Sequence, residues 1–136
     1  MENIKNIEQE ILDEINLFGD DWEAKYGYII ELGKTLPPLP TEYKTDEHLI
    51  KGCQSRVWLK AEKENDTLHF YADSDALIPK GIIALLLKLV NHQSAKDIAN
   101  YDFGIIEKIG LAQHLSPTRA NGLLSMIQHI KQYAKN

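Results

Sequence analysis

The chain has a single cysteine, Cys53, among its 136 residues. A lone thiol excludes an internal disulfide framework, a dithiol redox centre, and any zinc or iron–sulfur site built from several thiolates of one chain. Long apolar stretches are missing too. The longest, Ile82 to Val90 broken by Lys88, falls far short of the ~20 residues that cross a bilayer. An excess of positive charge is also absent: 15 Lys and Arg against 20 Asp and Glu give a formal net charge of −5. The bases are scattered among those acids, which counts against nucleic acid as a partner and in favour of protein partners. Met1-Glu2-Asn3-Ile4-Lys5-Asn6 carries no basic stretch followed by an apolar one, so no secretory signal or transit peptide is expected, and the expected compartment is the cytoplasm. No repeat or biased tract appears. With 43% hydrophobic and 26% charged residues, the chain has the composition of an ordinary globular protein, and its length suits one domain over residues 1–136.

What is present reads mostly as helix. Ile4, Ile7, Ile11, Ile15 and Phe18, with Leu12 beside them, recur at steps of three and four and predict an amphipathic helix over 3–18. Asp20 with Glu23 resembles a capping box, and Trp22, Tyr26, Ile29 and Ile30 continue a second helix over about 21–32 that Gly33 would end. Leu36-Pro37-Pro38-Leu39-Pro40 cannot be a helix interior and predicts an extended surface connector. Alternation of Val57, Leu59 and Ala61 with polar neighbours, then of Leu68, Phe70 and Ala72, predicts a β-hairpin over 56–72 turning at Glu64-Asn65-Asp66-Thr67. An isolated hairpin is marginal, so a third strand is expected at 47–51. Residues 81–90 are apolar on nearly every side and predict a central buried helix. Ser94 with Asp97 caps a short helix, Asp102 caps another that Gly110 ends, and Ser116-Pro117 opens the last. These elements give an α+β domain, a small antiparallel sheet of about three strands packed by several helices.

Cys53 sits on the loop before the hairpin, flanked by Lys51, Gly52, Gln54, Ser55 and Arg56. Cations and backbone amides near a thiol favour the nucleophilic thiolate, and Gly52 permits backbone geometry that aims amides at sulfur. A small buried cysteine with nothing to do fits the composition equally well. Acyl transfer would need an imidazole at the thiol, and only His48 is near in sequence. What remains natural for one accessible thiolate is uptake of sulfur from another protein's persulfide.

Gly52-Cys53-Gln54-Ser55-Arg56-Val57-Trp58 resembles the Gly-Cys-Gln-Ser-x-Val-Trp signature of the SufE family of sulfur acceptors. Three further blocks are similar in the family's order: Trp22-Glu23 through Gly33, Asp73-Ser74-Asp75-Ala76 with Lys80-Gly81, and Gln113-His114-Leu115-Ser116-Pro117 with Arg119 and Gly122-Leu123. The resemblance implies an IscU-like fold. It implies that Cys53 takes the terminal sulfur of a persulfide made by a SufS-type cysteine desulfurase, stimulates that enzyme, and passes the sulfur to the SufBCD scaffold for iron–sulfur cluster assembly. A CsdE-like acceptor for a CsdA-type desulfurase, feeding another pathway such as transfer-RNA modification, shares the same motif. Neither role implies a cofactor or an enzyme activity of this chain's own, since pyridoxal phosphate belongs to the desulfurase. A cluster-building scaffold would need more soft ligands than one thiolate.

Beyond Cys53, the candidates that support its loop are Gly52, Gln54, Asp75 and Arg119. Asp75, matching the second acid of its family block, would help hold the loop closed, although an aspartate or Ser74 would equally serve as a helix cap. Arg119, in the first turn of the last helix, needs an anion nearby; it would form an internal salt bridge or join Asp75 in a polar cluster beside the loop. Trp58 and Arg56 share a strand face that would anchor a partner or pack inward, while Trp22 and Tyr26 are expected in the core. Monomer or homodimer stays open.

Overall fold

Asn3 opens the first helix, α1 (Ile4–Asn16), its side-chain oxygen accepting the Asn6 N–H at 2.9 Å. The computed structural model describes residues 3–135; Met1, Glu2 and Asn136, the ends of the expected domain span, lie outside the described residues. Ile4, Ile11, Leu12 and Ile15 form the buried stripe of α1. In α2 (Trp22–Lys34) the cap is Asp21, which accepts the Ala24 N–H at 3.1 Å, one residue after the expected Asp20. Gly33 does not end this helix. It lies inside it, where α2 crosses α3 (Leu77–Val90), and a Cβ there would sit 3.0 Å from the Gly81 nitrogen. A Cβ on Gly81 would run into the Ile29 carbonyl. Both glycines are absences that let two backbones touch.

That crossing explains why α3 is buried all round, from Ile82 to Leu87 and again at Leu89 and Val90. It begins four residues before the expected Gly81, because Pro79 falls in the first turn, where a missing N–H costs nothing. Its other neighbours are α1, the hairpin and the terminal helix. β1 (Val57–Glu64) and β2 (Thr67–Ser74) pair antiparallel with Leu59 opposite Ala72 and Ala61 opposite Phe70, so the inward faces meet α3. Asn65, at φ 56°, makes the tight turn with Asp66.

The expected third strand at 47–51 is absent, and the sheet has two strands among the described residues. Asp46–His48 coils into a 3₁₀ turn instead, leaving only Leu49 to bridge Trp58 and the Ile50 N–H to reach the Val57 carbonyl at 2.8 Å. The other edge is closed by the chain leaving α3: the Leu68 N–H donates to Gln93 O at 3.0 Å and the Ala95 N–H to Asp66 O at 2.9 Å. Irregular backbone therefore covers one end of each edge, part of the service a third strand would have rendered. The hairpin gains its stability from packing on α3.

Ser94 caps α4 (Ala95–Asn100) through the Asp97 N–H at 3.0 Å, and Gly110, at φ 79°, ends α5 (Ile105–Ile109). Asp102 binds the Gly104 N–H at 2.9 Å just before α5. Ser116 accepts the Arg119 N–H at 3.2 Å at the start of α6 (Pro117–Lys135). Residues 37–40 have no regular structure, as the prolines dictate, though Leu39 is buried. No described helix is long and apolar enough to cross a membrane.

Among the described residues one carboxylate lies buried inside this assembly. Glu8 on α1 accepts the Tyr101 hydroxyl at 2.6 Å and the Lys108 ammonium at 3.1 Å, joining α1 to the α4–α5 region. Burial alone pushes its carboxyl up, but those two hydrogen bonds and the Lys108 charge outweigh burial and hold it below the usual carboxylate value. A depressed folded value stabilises the protein above the unfolded value, near pH 4.3, and the contribution disappears as pH falls through the folded one. Glu8→Gln is therefore expected to lower stability by about 2 kcal/mol at pH 7. In urea unfolding measured from pH 7 to 3, the gap from wild type should shrink below about pH 4.

Candidate functional site

The cysteine loop leaves Ile50, which is buried, and reaches β1 at Val57. Between them Gly52 takes φ 95°, a left-handed conformation that side chains resist, and a Cβ there would collide with the Ser125 hydroxyl of α6. Only glycine lets the loop lie this flat on the helix. Cys53 follows, half-buried, with its thiol donating to the Gly122 carbonyl at 3.7 Å. The sulfur rests over the bare Cα of Gly122, where a methyl group would stand 3.3 Å from it.

The electrostatics reverse the expectation drawn from the sequence. Lys51 and Arg56 are exposed and neither contacts the sulfur among the described residues, and burial pushes the Cys53 thiol up. A carbonyl acceptor also favours S–H over S⁻. In this conformation burial and the carbonyl acceptor both favour the thiol over the nucleophilic thiolate.

Beside the sulfur lies a cavity of about 110 Å³ between the loop, α3 and α6. Gln54 and Ser55 form its loop side, Pro79 and Ile82 its α3 wall, and Arg119 and Met126 part of its α6 wall. Gln54 is exposed at this opening. Arg119 is exposed as well, and no ion pair holds its guanidinium among the described residues, so the expected salt bridge is not formed. The cavity therefore has an apolar floor and a cationic rim.

Asp75 stands at the other end of the loop. Its carboxylate accepts the Arg56 N–H at 3.1 Å, its own N–H donates to Arg56 O at 3.2 Å, and the Ser74 hydroxyl donates to the same oxygen at 2.7 Å. These bonds pin the loop's exit to the end of β2. The capping alternative is thereby corrected: Ala76 occupies the N-cap position of α3 without a side-chain cap, and Asp73 pairs with Lys44 at 3.0 Å and Lys80 at 3.3 Å. No hydrogen bond or ion pair joins Asp75 to Arg119 among the described residues, so the two border the loop separately. Trp58 is half-buried on the hairpin's outer face with Lys44 5.6 Å above its ring, and Arg56 is exposed just before the strand.

The sequence reading missed Gly122 and Ser125 as parts of the site. Arg119 and Gly122 are three apart on one helix and so share a face, which was the available signal. Trp22 and Tyr26 are half-buried and do more than fill the core. Trp22 stacks on His114 with ring centres 3.7 Å apart and the Tyr26 hydroxyl donates to His114 O, which fixes the turn leading into α6 and Arg119.

Comparison with known proteins agrees with this architecture. A family model described as SufE, Fe-S metabolism associated domain, matches residues 9–134. An uncharacterized SufE-like protein of Rhizobium etli is 44% identical over 131 residues, 93% of this chain and 88% of its own. One from Rhizobium meliloti is 43% identical over 131 residues, 93% of each chain. The solution structure of a hypothetical protein from Thermus thermophilus superposes with a TM-score of 0.77 at 18% identity, over 95% of this chain and 93% of that one, and shows the same fold.

Because burial raises the thiol, the rate of Cys53 alkylation by iodoacetamide is expected to rise with pH along a curve displaced to higher pH than that of free cysteine in parallel. Gly52→Ala, which cannot lie on Ser125, is expected to speed alkylation at pH 7.5 by about fivefold or more, a shift of roughly 1 kcal/mol in the seating of the loop.

Proposed function

This chain belongs to the SufE family, a membership that implies association with a cysteine desulfurase in iron–sulfur metabolism, and on that premise we propose that Cys53 is the sulfur acceptor and carries the sulfur as a persulfide. The observation that carries the proposal is the placement of the chain's one thiol on a glycine-seated loop at the mouth of a small cavity. The desulfurase makes its own persulfide with pyridoxal phosphate, and this chain needs no cofactor. Docking lifts the loop from α6, the thiol loses its proton, and the Cys53 thiolate attacks the terminal sulfur of the enzyme's persulfide. The new S–S bond forms on Cys53 as the old one breaks and the enzyme's cysteine leaves as thiolate; sulfur moves with no net oxidation.

The cavity has room for the added atom, since a water occupies about 30 Å³ of liquid. The persulfide is more acidic than the thiol, and the guanidinium of Arg119 at the rim stabilises its anion. The partner is a SufS-type desulfurase and the recipient the SufBCD scaffold, in the cytoplasm; transfer onward repeats the same exchange with a recipient thiol.

Intact-mass spectrometry after mixing the chain with a SufS-type desulfurase, pyridoxal phosphate and cysteine should show a gain of roughly 32 Da on wild type and none on Cys53→Ser. Uptake only from a CsdA-type desulfurase would reassign the partner, and no uptake from either would end the acceptor reading. Asp75→Ala, which frees the Arg56 amide, should speed Cys53 alkylation by about two- to tenfold, the equivalent of one hydrogen bond. Arg119→Ala should leave that rate within about twofold and reduce stimulation of the desulfurase; unchanged stimulation would remove Arg119 from the site.

A further inference from the structure

Two imidazoles meet far from the cysteine. His69 lies five positions before Ser74, about 16 Å along β2 from the loop's anchor, and its Nδ1 is 2.6 Å from the Nδ1 of His92, with ring centres 4.6 Å apart. His92 sits at φ 64°, in the left-handed region, just beyond the end of α3. That conformation is imposed by its surroundings. Its N–H donates to Leu68 O at 2.9 Å, and the Asn91 amide bonds both ways with the Phe70 backbone, at 2.8 and 3.2 Å. The backbone thus presents His92 to His69 whatever the rings prefer.

Two facing ring nitrogens have room for one proton between them, so at least one of them offers the other a lone pair. His69 is oriented from behind: its Nε2 is 3.2 Å from the Thr67 hydroxyl and 3.6 Å from the Glu64 carboxylate. A carboxylate beside Nε2 places the proton there and leaves Nδ1 as the free donor atom, the arrangement that supports metal-binding histidines. We propose that His69 and His92 form a two-imidazole site for a divalent transition-metal ion, distinct from Cys53. An ion about 2.0 Å from each nitrogen holds them roughly 2.8 Å apart in a square plane and about 3.3 Å in a tetrahedron, so small ring rotations suffice. The exposed His92 ring moves its own proton to Nε2 through solvent, and no redox change is involved. Among the described residues no cluster of three or more such side chains converges. Water completes the shell, the ion exchanges readily, and imidazole preference ranks copper(II) above zinc(II) and nickel(II).

The test titrates copper(II), and separately zinc(II), into the full chain carrying Cys53→Ser, which removes the competing sulfur ligand, with calorimetry and, for copper, electron paramagnetic resonance. One ion per chain with nitrogen ligation is expected. His69→Ala and His92→Gly should each weaken that binding by roughly a hundredfold, the advantage of a second tethered ligand. Glycine accepts the φ of position 92, so thermal unfolding of His92→Gly should stay close to that of the parent and separate loss of the ligand from loss of the fold. Binding that survives either substitution, or no stoichiometric binding up to about 1 mM ion, would overturn the site.

Discussion

Two helices can approach only as closely as the side chains at their crossing permit, and here a glycine stands on each side of it. Gly33 and Gly81 bring α2 and α3 into backbone contact, and everything else is arranged around the helix so anchored. α3 takes the inner face of the hairpin on one side and α6 on another, which sets the distance between the strand that ends the cysteine loop and the helix on which the loop lies. The crossing thus helps set the frame on which the Cys53 loop lies. The same rigidity lets a two-stranded sheet persist, since the hairpin borrows its stability from the helix behind it.

The loop itself is held by weak, separable contacts. Gly52 and Gly122 supply close approach, a long thiol–carbonyl hydrogen bond supplies little energy, and Asp75 with Ser74 fixes only the exit. A segment restrained this way opens at modest cost while the domain stays folded. For the acceptor role proposed above, that division gives a fixed frame and a loosely seated tip.

Much of the frame was legible because its signals are local. The isoleucine stripe of α1, the serine caps at 94 and 116, the alternation of the hairpin and the stop at Gly110 each depend on a few neighbouring residues. Where the reading failed, the deciding fact was distant in sequence. Gly33 looked like a helix end because its partner, Gly81, is 48 residues away. Where a third strand was expected, a 3₁₀ turn at Asp46–His48 leaves only Leu49 and Ile50 against β1, and the far edge, along β2, is met by residues 93 and 95, which carry no strand pattern. At the site, Cys53 stood out as the lone thiol in a recognisable motif, but its protonation state did not, because charged neighbours in sequence point to solvent and burial comes from α6. Asp75 and Arg119 were found as residues, while their separation from one another could be read only in three dimensions.

The neutral seat of Cys53 on the Gly122 carbonyl also bears on how long one molecule remains useful. Peroxides attack thiolates, and a cysteine driven past sulfenic acid is lost for good unless a second thiol intervenes in time. This chain has no second thiol to intervene. Burial that favours the protonated, half-covered sulfur works against the first oxidation step. The geometry that disfavours the thiolate thus disfavours its oxidation by the same means.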